Sequence, residues 1–224
     1  PIVWSGLRSI YRDLKNAENA TGQRFVTLPL YTKNPDGSIG QLQRQCTNEY
    51  KIEQVTKDVR KLQGLKPKQR NKPVNMFIGL TVDEIRRVSK PHTKQWINLY
   101  PLTGGVWVDG SGKSGIDTAY HQFKMHTVDC PKWYKNYDLP LPPRSRCTMC
   151  PFQTDDMWKD LRDNDPKEWK VVVKLDRELR LKSGGSNNRN PVYFHRSCVP
   201  LDEVKFIENQ SSLDFFDCSG TCNT

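Results

Sequence analysis

The sequence predicts an α/β protein. Short apolar runs of strand length alternate with stretches of helical periodicity, the pattern of layered α/β folds. Gly, Pro, Asn and Asp clusters separate the runs. Six Trp, eight Tyr and eight Phe in 224 residues supply a core, whereas disordered chains are aromatic-poor. The apolar share of 35% and mean hydropathy of −0.76 imply that this core is modest and wrapped in polar loops.

Ile2 to Trp4 reads as a strand, and Leu7, Ile10, Tyr11 and Leu14 give the next stretch helical spacing. Arg24 to Tyr31 is apolar and extended, and Asn34-Pro35-Asp36-Gly37 is a turn. Ile52, Val55, Val59 and Leu62 place a helix from Thr47 to Gly64. A basic loop, Lys66 to Lys72, leads to a strand over Val74–Leu80. Thr81 and Glu84 form a capping box that starts a helix. Trp96–Leu102 is a further strand, and the Gly-rich stretch 103–126 reads as a long loop. Helices are predicted over Thr127–Tyr137, from the Thr154 cap, and from Asp165-Pro166 towards Lys182. Trp133, Trp158 and Trp169 fall on these helices as core residues. Ser183–Asn190 has linker composition, Val192–Phe194 is a short strand, and the remainder reads as tail. The domain expectation is therefore a core over 1–182, then linker and tail over 183–224.

A net charge of +10 and pI near 9.3 favour polyanionic partners: nucleic acid, nucleotide or anionic surfaces. No stretch approaches the roughly 20 apolar residues needed to cross a bilayer, and no signal peptide is visible. A cytoplasmic location without a membrane partner is expected. The chain opens on Pro1, not Met, and is read as the later part of a longer protein.

Seven cysteines, an odd count, argue against a complete disulfide framework. The sharpest local signal is Arg144-Ser145-Arg146-Cys147-Thr148-Met149-Cys150-Pro151-Phe152. Two thiols two residues apart in a tight turn can face one ion, and Arg144 and Arg146 would offset thiolate charge. By itself C-x-x-C leaves three readings open: half a metal site, a dithiol redox pair, or two buried thiols. Cys46 sits at the start of a predicted helix, where the dipole favours a thiolate. Cys130 is the fourth candidate, with burial as a small hydrophobe the competing reading.

Cys46-Thr47-Asn48-Glu49-Tyr50-Lys51-Ile52-Glu53 resembles the C-C-x-x-R-K-V-E segment of iron–sulfur adenylyl-sulfate reductases. Gly79-Leu80-Thr81-Val82-Asp83-Glu84-Ile85-Arg86-Arg87 resembles the G-[IL]-x-x-x-[EQ]-x-x-R motif of phosphoadenosine phosphosulfate reductases, and Cys147 and Cys150 match their later C-x-x-C. With Cys218-Ser219-Gly220-Thr221-Cys222 at the end, the whole chain is similar to the phage and bacterial branch of phosphoadenosine phosphosulfate reductase-like proteins. The resemblance implies an adenine nucleotide α-hydrolase-like fold of the PP-loop superfamily, with a central, mostly parallel sheet flanked by helices and a loop-rich C-terminal tail. It implies an oxidoreductase working on nucleotide-activated sulfate, with a 4Fe–4S cluster on Cys46, Cys147 and Cys150 that either recruits Cys130 as the fourth ligand or leaves one iron open. Adenine nucleotide and a thiol redox partner would be its partners. Two features depart from the family. Thr47 replaces the second cysteine of the pair, and the phosphate-cradling S-G-G-x-D-S loop is absent from this chain.

Arg44, Lys51, Arg86 and Arg87 are the candidates for holding sulfate, phosphate or nucleotide, Arg as a bidentate fork and Lys as a point charge. For Arg86 and Arg87 the plain alternative is a charged helix face. Cys218 and Cys222 are candidates for a mobile catalytic pair, Glu84 reads as a cap, and His195 as structural. Two other functions remain open: an iron–sulfur sulfurtransferase thiolating a nucleic-acid base, and a non-enzymatic, zinc-stabilised nucleic-acid-binding module. Thiolate sites hold zinc as readily as iron–sulfur.

Overall fold

The computed structural model describes residues 9–141, 147–183 and 190–207. The expected strand at Ile2–Trp4, the candidate pair Cys218 and Cys222, Arg144, Arg146 and most of the Ser183–Asn190 linker lie outside them. In chain order the elements are α1 (Ile10–Lys15), β1 (Tyr31–Lys33), β2 (Ile39–Gln41), a π-helical turn (Asn48–Ile52), α2 (Glu53–Leu62), β3 (Val74–Phe77), β4 (Trp96–Tyr100), β5 (Val106–Asp109), β6 (Ser114–Ile116), α3 (Cys130–Asn136), α4 (Asp155–Asn164), α5 (Pro166–Ser183) and β7 (Val192–Tyr193). Short 3-10 turns link several of them. No helix among the described residues is long and apolar enough to cross a membrane.

The chain is mixed α/β, and its described residues fall into two compact units, one of residues 9–56 and 147–207, the other of residues 57–141. The first holds a three-stranded antiparallel sheet, β2-β1-β7. The Asn34–Gly37 turn closes its hairpin as expected: Asn34 N–H donates to Ser38 O, and Gly37, at φ +84°, supplies the left-handed residue. Around the sheet pack Leu28, Leu30, Trp158, Val172, Leu175 and Leu179. Thr154 caps α4 by accepting the Met157 N–H, and Pro166 opens α5, both where the sequence placed them.

The expected division at residue 182 is not where the chain divides. Residues 190–207 belong to the first unit, with Val192, Phe194 and Leu201 buried in its core. The cause is a carboxylate. Asp176, 1% exposed on α5, accepts the Phe194 N–H at 3.1 Å, the Leu201 N–H at 3.2 Å and the Arg180 guanidinium at 2.5 Å. A buried charge is tolerated only when its oxygens are this well satisfied. Arg180 also lies over the Tyr193 ring, at 5.3 Å from its centroid.

The second unit holds the sheet β3-β4-β5-β6. Only β3 and β4 are parallel; β4-β5 and β5-β6 are antiparallel. This corrects the mostly parallel sheet implied by the resemblance: the sheet is mixed. It also corrects the long loop over 103–126, which contains β5, β6 and a 3-10 turn over Thr118–Phe123. Val106-Trp107-Val108 is a β-branched and aromatic run suited to a strand, but glycines at 104, 105, 110, 112 and 115 obscured it. Gly115 has a packing reason, since a Cβ there would stand 2.8 Å from the Trp107 ring. The capping box at Thr81 and Glu84 is present but opens a six-residue 3-10 turn, Val82–Arg87. Trp158 is fully buried and Trp169 packs on the core. Trp133 is a correction: it is 41% exposed, stacked on Tyr137.

Asp176→Ala should lower stability by about 3–5 kcal/mol, the usual effect of breaking a buried ion pair. Urea denaturation would measure it. Hydrogen exchange should show the Phe194 and Leu201 amides losing protection together; unchanged protection would assign the docking of this segment to apolar burial alone.

Candidate metal centre

Cys46 lies in the first helical turn that leads through the π-helical turn into α2. Three contacts hold that start in place. Gln45 N–H donates to Thr27 O at 3.0 Å. The buried carboxylate of Glu49 accepts the Ala20 N–H at 2.9 Å and the Asn19 amide at 3.3 Å. Tyr50 donates its hydroxyl proton to Asp13 at 2.6 Å. A π-helical turn carries one extra residue per turn and is common near functional groups.

Cys147 and Cys150 share a tight turn in which Cys150 N–H donates to Cys147 O at 3.1 Å. Met149 between them is buried in the first unit's core, and Cys46 packs against the same core. Gln153 closes the turn, its side-chain amide donating to Thr148 O at 2.6 Å. Burying Met149 leaves Cys147 exposed and Cys150 partly covered.

The Cys150 thiol is pushed up to about 11 from its ordinary 9.0, first by burial. The Phe152 amide lowers it, negative charge on Cys147 and on Cys46 raises it, and Arg44 lowers it. Such effects are short-ranged, so Arg44, Cys46, Cys147 and Cys150 form one neighbourhood although about a hundred residues separate its two segments. Arg44 donates to Thr47 Oγ1 at 3.1 Å and stacks over Phe152, 5.4 Å from the ring centroid. Thr47, the residue that departs from the family's cysteine pair, thus helps to hold the guanidinium.

The other candidates stand elsewhere. Lys51 is exposed on the π-helical turn. Cys130 belongs to the second unit, where its thiol lies 3.6 Å from the Met125 sulfur and 3.8 Å from His126 O. Arg86 and Arg87 are also in the second unit: Arg86 is exposed and Arg87 pairs with Glu84. Among the described residues, no three His, Cys, Asp or Glu side chains stand as a metal-binding group. The thiols are neighbours without being arranged as ligands.

Two features were missed in the sequence. Tyr31, opening β1, has its hydroxyl raised by burial, lowered by Arg196 and Gln41, and raised again by Cys150 and Cys198. It is a half-buried phenol beside the thiol neighbourhood, and nothing in a strand-like run marks it. The second is a network around Asp155, 2% exposed at the start of α4. Its oxygens accept the Ile207 N–H at 2.9 Å, Arg196 at 3.0 Å and His195 Nε2 at 3.3 Å. Burial raises this carboxyl, but these partners outweigh it and hold it below the usual range. Ser197 N–H points at His195 Nδ1 at 3.2 Å. Nδ1 therefore carries no proton, and Nε2–H donates to Asp155. Burial depresses His195, keeping it neutral around pH 7, in keeping with the structural role expected for it.

Compared with family models, curated proteins and solved structures, the chain matches none.

The raised thiol has a pH signature. Because its folded-state value lies above the ordinary one, Cys150 contributes stability below pH 9.0 that is lost as pH rises towards about 11. In metal-free protein, Cys150→Ala should remove that alkaline loss. At about pH 8, iodoacetamide should label exposed Cys147 well ahead of Cys150, because the thiolate is the reactive form. Mass spectrometry of the labelled peptides reads the order, and equal labelling would contradict the burial argument.

Proposed function

We propose that this chain belongs to an enzyme of the phosphoadenosine phosphosulfate reductase-like type, with an adenine nucleotide α-hydrolase-like core and sulfur chemistry directed at an adenylylated sulfate. The observation that carries the proposal is the neighbourhood of Cys46, Cys147 and Cys150 with Arg44 beside them. It joins two of the three motifs on which the resemblance rests.

The chemistry of the donor set fits a thiophilic centre. Three thiols near one another cannot all ionise without a compensating cation; Cys150, raised first by burial, is raised further by negative charge on Cys147 and Cys46. Cys46, Cys147 and Cys150 would hold a 4Fe–4S cluster, or zinc, once their side chains turn inward. A cluster on three thiolates supplies redox chemistry and one iron position open to another ligand. Arg44, fixed over Phe152, would orient an incoming sulfate oxyanion, and exposed Lys51 on the same helical stretch would add charge.

The cationic segment that follows, Lys57 to Lys72, favours a second reading: a sulfurtransferase that thiolates a nucleic-acid base on the same thiolate centre. A zinc-stabilised, non-enzymatic nucleic-acid-binding module uses the same donors.

Metal analysis of anaerobically purified protein separates these readings: iron with sulfide supports the first two, stoichiometric zinc the third. Sulfite release against formation of thiolated RNA then distinguishes the enzymes. Structural thiolate sites contribute on the order of 10 kcal/mol of binding. Cys46→Ser, Cys147→Ser and Cys150→Ser should therefore each lose the metal and, at about 2–4 °C per kcal/mol for a chain of this size, lower Tm by roughly 20–40 °C. Cys130→Ser should lose metal only if Cys130 is the fourth ligand. Full metal content in Cys46→Ser would remove Cys46 from the centre and the proposal with it.

A further inference from the structure

The chain's positive charge is concentrated. Between Lys57 and Lys72 there are seven Lys and Arg against one carboxylate, Asp58, a net +6 of the chain's +10. From Val59 to Val82 there is no Asp or Glu at all. Lys57, Lys61, Lys66, Lys68, Arg70 and Lys72 are exposed.

This segment is built, not merely charged. After α2 the Leu65 N–H returns to Arg60 O and the Gly64 N–H to Lys61 O, with Gly64 at φ +67°: a Schellman ending. Arg60, the one half-buried cation, turns its fork into the loop. It donates to Lys66 O at 2.9 Å, to Gln69 O at 3.0 Å and to the Asn71 side chain. Lys72 reaches back to Gln63 O at 3.3 Å. The loop is thereby folded around one arginine, and Lys66, Lys68 and Arg70 remain on its outside.

The same loop feeds β3, which is an edge strand. Phe77, on its solvent side, is 60% exposed. Its ring neighbours Tyr120 at 6.1 Å, and Tyr120 neighbours Phe123 at 6.2 Å; Phe123 is 49% exposed. Gly105 sets this row in place. A Cβ there would collide with Asp117 O and press on Tyr120 Cβ, so only glycine lets the Thr118–Phe123 turn lie against the sheet. Lys124 and His121 flank the row, and no carboxylate occurs from Thr118 to Val128. Lys72 and Phe77, five residues apart, are at most about 17–18 Å from one another.

We propose that this face of the second unit, the Lys66–Lys72 loop with the Phe77–Tyr120–Phe123 row, binds single-stranded nucleic acid. Cations track the phosphates, and exposed ring faces take unpaired bases, the combination by which single strands are held without sequence preference. A duplex hides its base faces and would use the cations alone. An anionic membrane would also use the cations, and α2 carries a partly exposed apolar stripe at Val55, Val59 and Leu62; the row of rings on the sheet edge and the Thr118–Phe123 turn is what favours unpaired bases, and vesicles enter the test as the competitor. The inference is independent of the thiol centre and holds whichever metal that centre takes.

The test is fluorescence anisotropy of the full chain with a labelled mixed-sequence single strand, its duplex, and phosphatidylserine vesicles as competitor, across a salt series. Phe77→Ala should weaken single-strand binding about tenfold, within the range for one stacked base, and leave the duplex little changed. Replacing Lys66, Lys68 and Arg70 by Gln should flatten the log–log salt dependence by about 2, at about 0.7 per phosphate contact on a single strand. These residues are exposed, so both variants should fold, as circular dichroism would verify. Lys174→Gln, at an exposed lysine of the first unit, should bind like the parent chain. No binding, a silent Phe77→Ala, displacement by vesicles in preference to the strand, or an equal loss of binding in Lys174→Gln would each overturn the assignment.

Discussion

The first unit depends on where one buried carboxylate finds its partners. Asp176 sits on α5 with three donors on it, two of them backbone amides from residues 194 and 201. Those two bonds bring the chain back across the unit after α5 ends. β7 then pairs with β1, placing Tyr193 opposite Tyr31. The core that results is the one on which Met149 and Cys46 rest. An ion in apolar surroundings would cost several kcal/mol if left uncompensated, so the same residue both demands and specifies the packing around it.

Asp155 repeats the device one helix earlier. It gathers His195, Arg196 and the Ile207 amide, again from the segment after residue 190. The two acids together turn a polar, Pro-containing stretch into part of the fold. The thiol neighbourhood gains from this in a specific way: Tyr31 and Arg196, held by β1 and by Asp155, lie within electrostatic reach of one another, and Tyr31 also feels Cys150 and Cys198.

Helix boundaries were legible in the sequence because their causes are local. Thr154, Pro166 and Gly64 each act on backbone groups a few residues away, and each does so in the structure. The C-x-x-C turn was legible for the same reason. What misled was composition. The glycines of 103–126 mark close packing and tight turns around β5 and β6, yet by composition they suggest an unstructured loop. Likewise the direction of β5 and β6 relative to β4 cannot be read from alternating side chains, which look alike in parallel and antiparallel pairs. A family likeness carried by three short motifs predicted a mostly parallel sheet, and the hydrogen-bond pattern is mixed.

The sequence by itself determined the α/β character, the positions of the main helices, the concentration of charge between Lys57 and Lys72, and the C-x-x-C turn at Cys147 and Cys150. All of these follow from neighbours along the chain. Only the tertiary structure decided that Cys46 shares a neighbourhood with that pair and that Cys130 belongs to the other unit. It also decided that residues 190–207 enter the core and that Phe77 shows its ring beside Tyr120. Those outcomes depend on long-range pairings, set by where buried carboxylates find donors and where a missing Cβ allows one segment to lie on another. Neither condition leaves a mark within a short window of sequence.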